Sequence, residues 1–339
     1  MAMQTLQLKE LLESEGQSVV MLATNGPYKP AFAEKLKGIR ALFRLLPYLA
    51  GLWNLCSRVE LIHLMANSGW SWLLFSAPCL VIAKLRGTPV IVNYRGGEAD
   101  SYFANNAWHV RPIMRLAAKV IVPSRFLKHV FLRYDLRTDV IPNIVRLERF
   151  SGQRASVHDG AHLVITRNLE PIYGIPTALK ALALVAEKFP QTHLSIAGSG
   201  PQLEELETLA ETLGVRDKVS FLGRLDRDAI DALYRSADVL LNPTTVDNMP
   251  NSLLEAMAAK VCIVSSNVGG VPFMVEHEKT ALLTPVGDEQ AMADAISCLL
   301  TDELLRKRLV TAAYNSVQRC AWPEVKNQWL STYQEVLRA

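Results

Sequence analysis

The feature that most constrains this chain is the repeated alternation of short apolar segments with helical segments along its 339 residues. Each apolar segment is a continuous run that ends at a polar, Gly or Pro loop, as at residues 89–94 and 239–242. Continuous apolar runs are typical of parallel strands covered on both faces, and parallel strands need long crossovers that are usually helical. The alternation therefore predicts an α/β fold built on doubly wound parallel sheets.

A polar stretch divides the chain into two halves that both show this alternation. Residues 147–162 lack apolar periodicity, and we place a domain boundary at 150/151 within them. Strands are predicted at residues 18–23, 61–65, 89–94, 120–122 and 140–141 before the boundary, and at 163–166, 193–197, 219–222, 239–242 and 261–267 after it. Two doubly wound domains result, 1–150 and 151–322. The final helix, 323–339, extends the second domain or returns to brace the first.

The cysteine and hydropathy patterns favour a cytoplasmic protein. The five cysteines are odd in number, widely spaced and without a C-x-x-C pair, which argues against a disulfide framework and against a zinc site. Residues 1–16 are too polar and acidic for a signal peptide. The longest uncharged apolar stretch, residues 69–83, is too short to span a bilayer and predicts a buried helix.

Charge is distributed unevenly between the two halves. Residues 1–150 carry 19 Lys and Arg against 10 Asp and Glu, whereas the remainder carries 17 against 23. A basic half favours an anionic membrane surface or a phosphorylated acceptor, and the lack of any nucleic-acid motif argues against nucleic acid. Residues 35–53 predict a basic amphipathic helix interrupted at Pro47, which rests on a membrane or covers a core as an ordinary solvated helix. Peripheral contact with the inner membrane face is therefore an expectation.

Residues 239–270 contain the strongest candidate for a ligand site. A buried strand runs into a polar loop and a helix start, where backbone N–H groups and the positive end of a helix dipole suit an anion. Two carboxylates, Asp247 and Glu255, flank this point, and carboxylates accept hydrogen bonds from sugar hydroxyls. The combination predicts a phosphate-linked sugar as ligand. The competing interpretation is a helix start built for stability, with Pro250 in its first turn and Ser252 and Glu255 forming a capping box.

Residues elsewhere in the second half complete a characteristic order. Arg167 follows the first strand of that half, the loop Gly198-Ser199-Gly200-Pro201 follows the second, and Gly223 ends the third. The Asp247-to-Glu255 stretch and the pair Gly269-Gly270 come next. In this order the chain resembles the retaining nucleotide-sugar glycosyltransferases of family 4, whose GT-B fold consists of two Rossmann-like domains facing a cleft. The resemblance covers nearly the whole chain.

The resemblance implies a role for each matching position. Asp247 and Glu255 match the two motif carboxylates of the family, with Asp in place of the first Glu; the first contacts the donor sugar and the second holds the ribose hydroxyls. Arg167 matches the arginine that offsets the diphosphate charge. The remaining positions implied to bind the nucleotide sugar are Asn248, Met249, Pro250, Asn251, Gly198, Gly200 and Gly223.

Two loops of the first half, on the acceptor side of such folds, are further candidates. The loop Arg95-Gly96-Gly97 follows one predicted strand and Ser124 follows another, at the carboxyl ends where ligands bind in such sheets. Arg95 stands where many family members carry a histidine, and we hypothesise that it contacts the sugar or phosphate. A salt bridge from Arg95 to Glu98 or Asp100 is the structural alternative.

Three departures from the family define competing functions. Tyr173 replaces an expected lysine, Lys260 and Cys262 replace a glycine and a proline, and the chain begins at what resembles the helix after the family's first strand and glycine-rich loop. The leading prediction is a metal-independent hexosyltransferase (EC 2.4) without cofactor, acting from a nucleotide sugar on a glycan or lipid-linked acceptor. The alternatives are a catalytically impaired nucleotide-binding module and a GT-B sugar-nucleotide epimerase.

Overall fold

The computed structural model describes residues 2–24, 42–150 and 160–338. It divides into two compact units, one formed by Met1–Pro142 with Val325–Ala339 and the other by Asn143–Glu324. The boundary expected at 150/151 lies within the second unit instead, because the 3-10 turn Leu147–Phe150 places Phe150 in the core of that unit. The polar segment 151–159, on which that expectation rested, lies outside the described residues.

Helices and parallel strands alternate in the first unit. Its helices are α1 (Ala2–Ser14), α2 (Leu42–Leu55), α3 (Ala77–Arg86), α4 (Ala99–Met114) and α5 (Arg125–Arg133), and a π-helical turn, Trp72–Ser76, precedes α3. Its strands are β1 (Ile62–Ala66), β2 (Val90–Tyr94), β3 (Lys119–Val122) and β4 (Asp139–Val140). They pair in parallel in their order along the chain, β1-β2-β3-β4.

Three predictions for the first unit are wrong in detail. Residues 18–23 form no strand, and Val20 is 64% exposed, so this run lacks the cover that a buried parallel strand requires. The segment 69–83 is helical, as expected, and buries Trp72, Cys79 and Leu80, but its burial is incomplete because Trp70 is 77% exposed. α2 continues through Pro47, which costs one hydrogen bond near the helix start. The basic residues of that segment at 35–41 lie outside the described residues.

The second unit repeats the alternation with a longer series of elements. Its strands are β5 (His162–Thr166), β6 (His193–Ala197), β7 (Val219–Gly223), β8 (Val239–Asn242), β9 (Cys262–Ser266) and β10 (Leu282–Thr284). Its helices are α6 (Ile175–Lys188), α7 (Leu203–Thr212), α8 (Arg227–Ser236), α9 (Asn251–Ala258), α10 (Glu289–Thr301) and α11 (Glu303–Val317). The order of elements matches the predicted Rossmann-like pattern, which the structure confirms as an α/β fold.

The six strands of the second unit form a parallel sheet in the order β10-β9-β8-β5-β6-β7. The chain leaves β5 towards β6 on one side of the sheet, whereas β8 lies on the other side of β5. Neighbouring strands whose connections run in opposite directions create a crevice at their carboxyl ends. The sheet is covered on both faces, by a core with α6 and α10 on one face and by a core with α8, α9 and α11 on the other.

The last helix, α12 (Trp322–Arg338), packs against the first unit from Val325 onwards. Trp329 is fully buried, with its ring 4.7 Å from that of His63 in β1. The hydroxyl of Tyr333 lies 2.8 Å from Nδ1 of His63. The second of the two placements that the sequence left open for this helix is therefore the one found. No helix within the described ranges combines the length and the apolar character needed to cross a membrane.

Candidate functional site

The carboxyl ends of β5 and β8 bring together two residues that the sequence singled out. Arg167 directly follows β5, and Asp247 lies in the loop after β8. One Nη of Arg167 donates to a carboxylate oxygen of Asp247, and both side chains are only 13% exposed. Because β5 and β8 are the neighbours at which the sheet changes direction, this ion pair lies in the crevice where such sheets bind ligands.

Two further side chains fix the orientation of Arg167. Nε and Nη2 of Arg167 lie 3.1 and 2.9 Å from Oδ1 of Asn242, the last residue of β8. The amide nitrogen of Asn242 donates in turn to Oγ of Ser265, 2.9 Å away. The guanidinium carbon lies 5.0 Å from the ring centre of Tyr173, within the range of a cation–π contact. Tyr173, which replaces a lysine of the family, therefore holds the arginine through its ring instead of adding a second positive charge.

The loop that carries Asp247 is held on two sides by neighbouring loops. Oγ1 of Thr244 and the backbone N–H of Thr245 donate to the carbonyl of Ile172, at 3.0 and 2.8 Å. On the other side, a Cβ on Gly269 would lie 2.2 Å from the carbonyl oxygen of Asp247, and one on Gly270 would lie 1.7 Å from that of Asn248. The glycine pair is thus needed because the two backbones pack directly on each other. This packing holds the backbone of the residue that carries the carboxylate.

The other glycines expected at the nucleotide also serve contacts between loops. A Cβ on Gly198 would lie 1.8 Å from the carbonyl oxygen of Arg167, and one on Gly200 would lie 2.3 Å from that of Leu169. Gly223 has φ +64° and accepts a hydrogen bond of 2.8 Å from the N–H of Gly198. Loop packing around Arg167 explains the small size of Gly198 and Gly200, and a positive φ explains Gly223, so the presence of these glycines alone is no evidence for a nucleotide.

The start of α9 differs from the helix start that stability alone would favour. Pro250 occupies the N-cap position, and no side chain of the described residues caps the helix there. The capping box expected from Ser252 and Glu255 is wrong, because Glu255 accepts from the hydroxyl of Tyr234 at 3.1 Å and Oγ of Ser252 is buried without a partner among the described residues. The backbone N–H groups of the first turn thus have no side-chain acceptor within the described chain.

Glu255 is half-buried, beside the Tyr234 hydroxyl and near the charges of Arg149 and Arg167. Burial raises the pKa of its carboxyl group to about 7, although the hydrogen bond from Tyr234 and the charges of Arg149 and Arg167 act in the opposite direction. The Tyr234 hydroxyl also lies 2.7 Å from Oγ1 of Thr166 at the end of β5. Glu255 can therefore change its protonation state near neutral pH, beside the crevice that holds Arg167.

In the first unit, Arg95 directly follows β2 and lies half-buried against polar side chains. Its Nε donates to Oδ1 of Asn93 at 3.2 Å, and its Nη1 lies 3.4 Å from Oε1 of Gln4 in α1. Burial lowers the pKa of Arg95 to about 10. Asp100, one of the two carboxylates suggested as its partner, pairs with Arg133 at 2.7 Å.

The two glycines that follow Arg95 differ from each other. A Cβ on Gly96 would lie 2.6 Å from Oγ of Ser68 and 2.9 Å from the hydroxyl of Tyr94, so Gly96 allows two strand-end loops to pack together. A Cβ on Gly97 would meet no atom within 4 Å, so the backbone is open on that side. Of the pair, Gly97 is the one with room beside it for a ligand.

Ser124, the remaining candidate of the first unit, serves as a helix cap. Its Oγ accepts a hydrogen bond of 3.2 Å from the backbone N–H of Leu127 at the start of α5, and the residue is buried. A buried N-cap serine stabilises the helix that it begins. The cap explains this serine in the sequence without a substrate contact.

Three residues that contribute to the geometry were missed by sequence reasoning. Asn242 orients Arg167, Tyr234 contacts Glu255, and Asn143 contacts the start of α9. Asn242 gave a usable signal, since a polar residue at the end of a buried apolar strand needs a partner. Tyr234 gave no such signal, because a tyrosine on the apolar face of an amphipathic helix usually packs in the core. Among the described residues, no cluster of three or more His, Cys, Asp or Glu side chains is arranged to hold a metal ion.

Family models match both halves of the chain. The model described as "Glycosyl transferases group 1" matches residues 148–316, and the model described as "Glycosyltransferase Family 4" matches residues 1–149. The two matches meet near the junction of the two structural units. The first unit thus corresponds to the family 4 model and the second unit to the group 1 model, and both models describe glycosyltransferases.

Curated relatives support the same assignment. The chain is 34% identical over 355 residues to a phosphatidyl-myo-inositol mannosyltransferase of Mycobacterium leprae, covering 98% of this chain and 91% of the relative. It is 35% identical to an undecaprenol-linked glycan α-1,4-N-acetyl-D-galactosaminyltransferase of Campylobacter jejuni, covering 48% of this chain and 44% of that relative. The second similarity is thus confined to about half of each protein.

Solved structures show the same fold at low sequence identity. Sucrose-phosphate synthase of Thermosynechococcus elongatus superposes with a TM-score of 0.74 at 21% identity, covering 89% of this chain and 80% of that chain. Anabaena HepE, in complex with UDP-glucose, superposes with a TM-score of 0.72 at 20% identity, covering 85% and 82%. These likenesses confirm the predicted GT-B type of fold. With the family models and the mycobacterial relative, they show that the chain belongs to the family 4 glycosyltransferases.

Proposed function

We propose that this glycosyltransferase moves a sugar, with retention of configuration and without a metal ion, from a nucleoside diphosphate sugar to a lipid-linked or glycan acceptor. The observation that carries the proposal is the Arg167–Asp247 pair at the switch point of the second sheet, beside the uncapped start of α9. This arrangement offers donors for phosphate oxygens and an acceptor for sugar hydroxyls at one place.

The bond from the anomeric carbon to the phosphate oxygen breaks in such a transfer, and negative charge develops on the leaving nucleoside diphosphate. Arg167 and the first N–H groups of α9 stabilise that charge, and a single well-placed donor of this kind contributes about 3 kcal/mol. Asp247 accepts from a hydroxyl of the donor sugar, and Glu255 accepts from the ribose hydroxyls. The acceptor oxygen bonds to the anomeric carbon, and its proton passes to the leaving phosphate, so no separate base is required.

The nature of the donor is supported by the structural neighbours. HepE has been crystallised with UDP and with UDP-glucose. A nucleoside diphosphate has two features that match the second unit, an anionic diphosphate for Arg167 and a ribose for Glu255. We therefore propose a nucleoside diphosphate sugar as donor, with UDP as the first nucleotide to test.

A lipid-linked acceptor is supported by the relatives and by the surface of the first unit. The mycobacterial and Campylobacter relatives are named for phosphatidyl-myo-inositol and undecaprenol-linked substrates. On the first unit, the outer side of α2 leaves Leu46 63% exposed and also exposes Trp53, two helical turns further along. Apolar side chains in contact with water on an amphipathic helix are typical of membrane-surface contact.

Helix α3 continues that surface with apolar and basic side chains. Val81 and Leu85, one helical turn apart, are both exposed, and Leu85 is 73% accessible to solvent. The guanidinium of Arg86 lies 4.8 Å from the Trp53 ring centre, and Lys84, also in α3, is exposed. The α2–α3 face, comprising Leu46, Trp53, Val81, Leu85, Lys84 and Arg86, combines an apolar centre with positive charge. It fits an anionic bilayer surface.

Turnover tests the chemical proposal. Nucleoside diphosphate release is measured with a panel of nucleotide sugars, with and without added metal and EDTA, in the wild type and in Arg167→Ala. Arg216→Ala is the matched control, because Arg216 forms an exposed ion pair with Glu207 in the same unit. We expect release that is insensitive to EDTA and is lost only in the Arg167 variant. Formation of a new sugar nucleotide without an acceptor would instead identify an epimerase, and binding without turnover would identify a binding module.

Vesicle sedimentation tests the membrane proposal independently of turnover. The wild type is expected to sediment with vesicles containing phosphatidylglycerol and much less with phosphatidylcholine alone. Replacing both Trp53 and Leu85 by Ser should reduce sedimentation, whereas Leu304→Ser, which changes an even more exposed leucine of the second unit, should not. Equal sedimentation of all three proteins would disprove a role for the α2–α3 face.

A further inference from the structure

Asn143 is the first residue of the second unit and is almost completely buried, with 6% of its surface exposed. Its side-chain nitrogen lies 3.0 Å from the carbonyl oxygen of Met249 and 3.0 Å from Oδ1 of Asn251. Its backbone N–H faces the sulfur of Met249 at 3.5 Å. The residue at which the chain enters the second unit thus contacts the loop that leads into α9.

The other contacts of this loop reach different residues. The carbonyl of Ile172 holds Thr244 and Thr245, and the Gly269-Gly270 pair packs against Asp247 and Asn248. Within the described residues, Met249 packs against the core of the second unit, and the side-chain hydrogen bonds that reach residues 249–251 come from Asn143. Because Pro250 provides no side-chain cap, this stretch depends on an external partner to fix its direction.

The chemistry of the contact requires an amide at position 143. A primary amide nitrogen has two N–H groups, and the two acceptors, Met249 O and Asn251 Oδ1, use both. An aspartate of the same shape would present only acceptors to these two oxygens when ionised. The isosteric change Asn143→Asp therefore reverses the interaction while leaving the volume of the side chain unchanged.

We propose that Asn143 is a positioning residue that holds the start of α9 in the direction in which its first N–H groups meet the diphosphate of the donor. This inference rests on the proposed function, since it assigns the diphosphate to that helix start. Asn143 itself touches no substrate and acts through Met249 and Asn251. Loss of the contact should misplace the helix start by a fraction of an ångström or more, and misplacement of about 1 Å can cost as much as 10²-fold.

The affinity for a nucleoside diphosphate is the direct measurement. UDP, GDP and ADP are titrated calorimetrically against the wild type well below its melting temperature, and the one that binds most tightly serves as the probe. We expect the dissociation constant to rise about 10-fold in Asn143→Asp and Asn143→Ala. Ser236→Ala, which removes a buried hydroxyl contact of the second unit away from this loop, should lower the melting temperature without weakening the binding of the probe.

A double-mutant cycle with Asn251→Ala separates positioning from general destabilisation. If Asn143 acts through Asn251, the double variant Asn143→Ala/Asn251→Ala should bind the probe no more weakly than the weaker of the two single variants. Additive losses, or an unchanged dissociation constant in Asn143→Asp, would overturn the inference.

Arg167→Ala distinguishes failure of this inference from failure of the proposed function. If Arg167→Ala lowers the affinity for the probe and the Asn143 variants do not, the donor site is supported and only the positioning role is wrong. If Arg167→Ala leaves the affinity unchanged, or if none of the three nucleotides binds the wild type, the donor site is wrong and the role of Asn143 falls with it.

Discussion

Arg95 and Arg167 occupy the same topological position in the two units, directly after a parallel strand, yet their surroundings differ. Arg167 forms an ion pair with Asp247, rests on the Tyr173 ring and is held by Asn242. Arg95 donates to the neutral side chains of Asn93 and Gln4 in a buried setting. The same residue type at the same kind of strand end thus lies in the crevice of the sheet in one unit and among neutral polar side chains in the other.

The order of strands explains this difference. β5 and β8 are neighbours whose connections leave in opposite directions, so the loops after them separate and form a crevice. In the first unit, the described strands lie side by side in chain order, and β2, which precedes Arg95, lies between β1 and β3. Where successive connections lead to the next strand in the same direction, the loops at the strand ends pack against each other. The close approach of Gly96 to Ser68 is an example.

The buried network around Arg95 extends through the first unit. Asn93 lies 3.0 Å from Nε2 of His63, and Nδ1 of His63 lies 2.8 Å from the Tyr333 hydroxyl in α12. Burial, assisted by the charge of Arg95, lowers the pKa of His63 to about 3, so the imidazole is neutral. Arg95 thus belongs to a polar chain that joins the sheet to the terminal helices. Its local role is to link these elements.

Replacement of Arg167 by alanine is expected to have the largest effect. The variant loses the charge that faces the diphosphate and leaves Asp247 as an uncompensated anion beside it. We expect kcat/KM to fall about 10²–10³-fold. Steady-state release of nucleoside diphosphate measures the change, with Arg216→Ala as control. A loss of kcat/KM no larger than that of the control would show that Arg167, like Arg95, does not face the donor.

Replacement of Arg95 by alanine should affect stability more than turnover. Asn93 and Gln4 lose a buried donor, which is expected to cost about 2–4 kcal/mol of folding free energy. Thermal unfolding measures this effect against Arg133→Ala, which removes an exposed partner of Asp100. Unchanged stability together with a loss of activity as large as that of Arg167→Ala would instead place Arg95 at the substrate.

Replacement of Glu255 by glutamine should change the pH dependence of stability. The pKa of Glu255 is raised in the folded protein from 4.5 to about 7, so the folded state keeps a proton that the unfolded chain releases between these pH values. Stability therefore falls as pH rises through this window, by about 3 kcal/mol once it has been crossed. Glutamine remains neutral and still accepts from Tyr234.

The measurement is the difference in melting temperature between Glu255→Gln and the wild type at pH 5 and pH 8, values chosen to span most of the window from 4.5 to about 7. We expect the variant to gain relative to the wild type at the higher pH and to bind nucleoside diphosphate more weakly there, because the charged carboxylate is the better acceptor for ribose hydroxyls. A pH-independent difference would contradict the burial of this carboxyl group.

Replacement of Ser124 by alanine is expected to have the smallest effect. Loss of the cap at the start of α5 should cost about 1 kcal/mol of stability. Asp288→Ala, which removes the cap that accepts from Ala291 at the start of α10, is the matched control in the second unit. Both variants should keep the wild-type KM for donor and acceptor. A raised KM in the Ser124 variant alone would return this serine to the candidate substrate contacts.

Patterns along the chain sufficed for some of these conclusions and not for others. Asp247 and Glu255 were found because their spacing places them around a helix start, whereas Arg167 was identified only through the resemblance to the family, whose arginine it matches. The same local patterns also predicted a capping box at Ser252 and a strand at 18–23, and both are wrong. Each polar group at a helix start has several possible hydrogen-bond partners. Glu255 pairs with Tyr234 rather than with Ser252 because α8, which carries Tyr234, packs nearby, and the local sequence does not reveal this.

By itself, the sequence determined the α/β class, the two-part organisation and the loops in which a ligand site could lie, because apolar periodicity and Gly and Pro positions act over a few residues. The tertiary structure decided which of those loops meet. Arg167 reaches Asp247 only because β5 and β8 pair directly, with Leu163 beside Val239 and Val164 beside Leu240, although two other strands lie between them in the chain. A contact between side chains so far apart in the chain produces no periodic pattern in the sequence. It depends on the order of strands in the sheet.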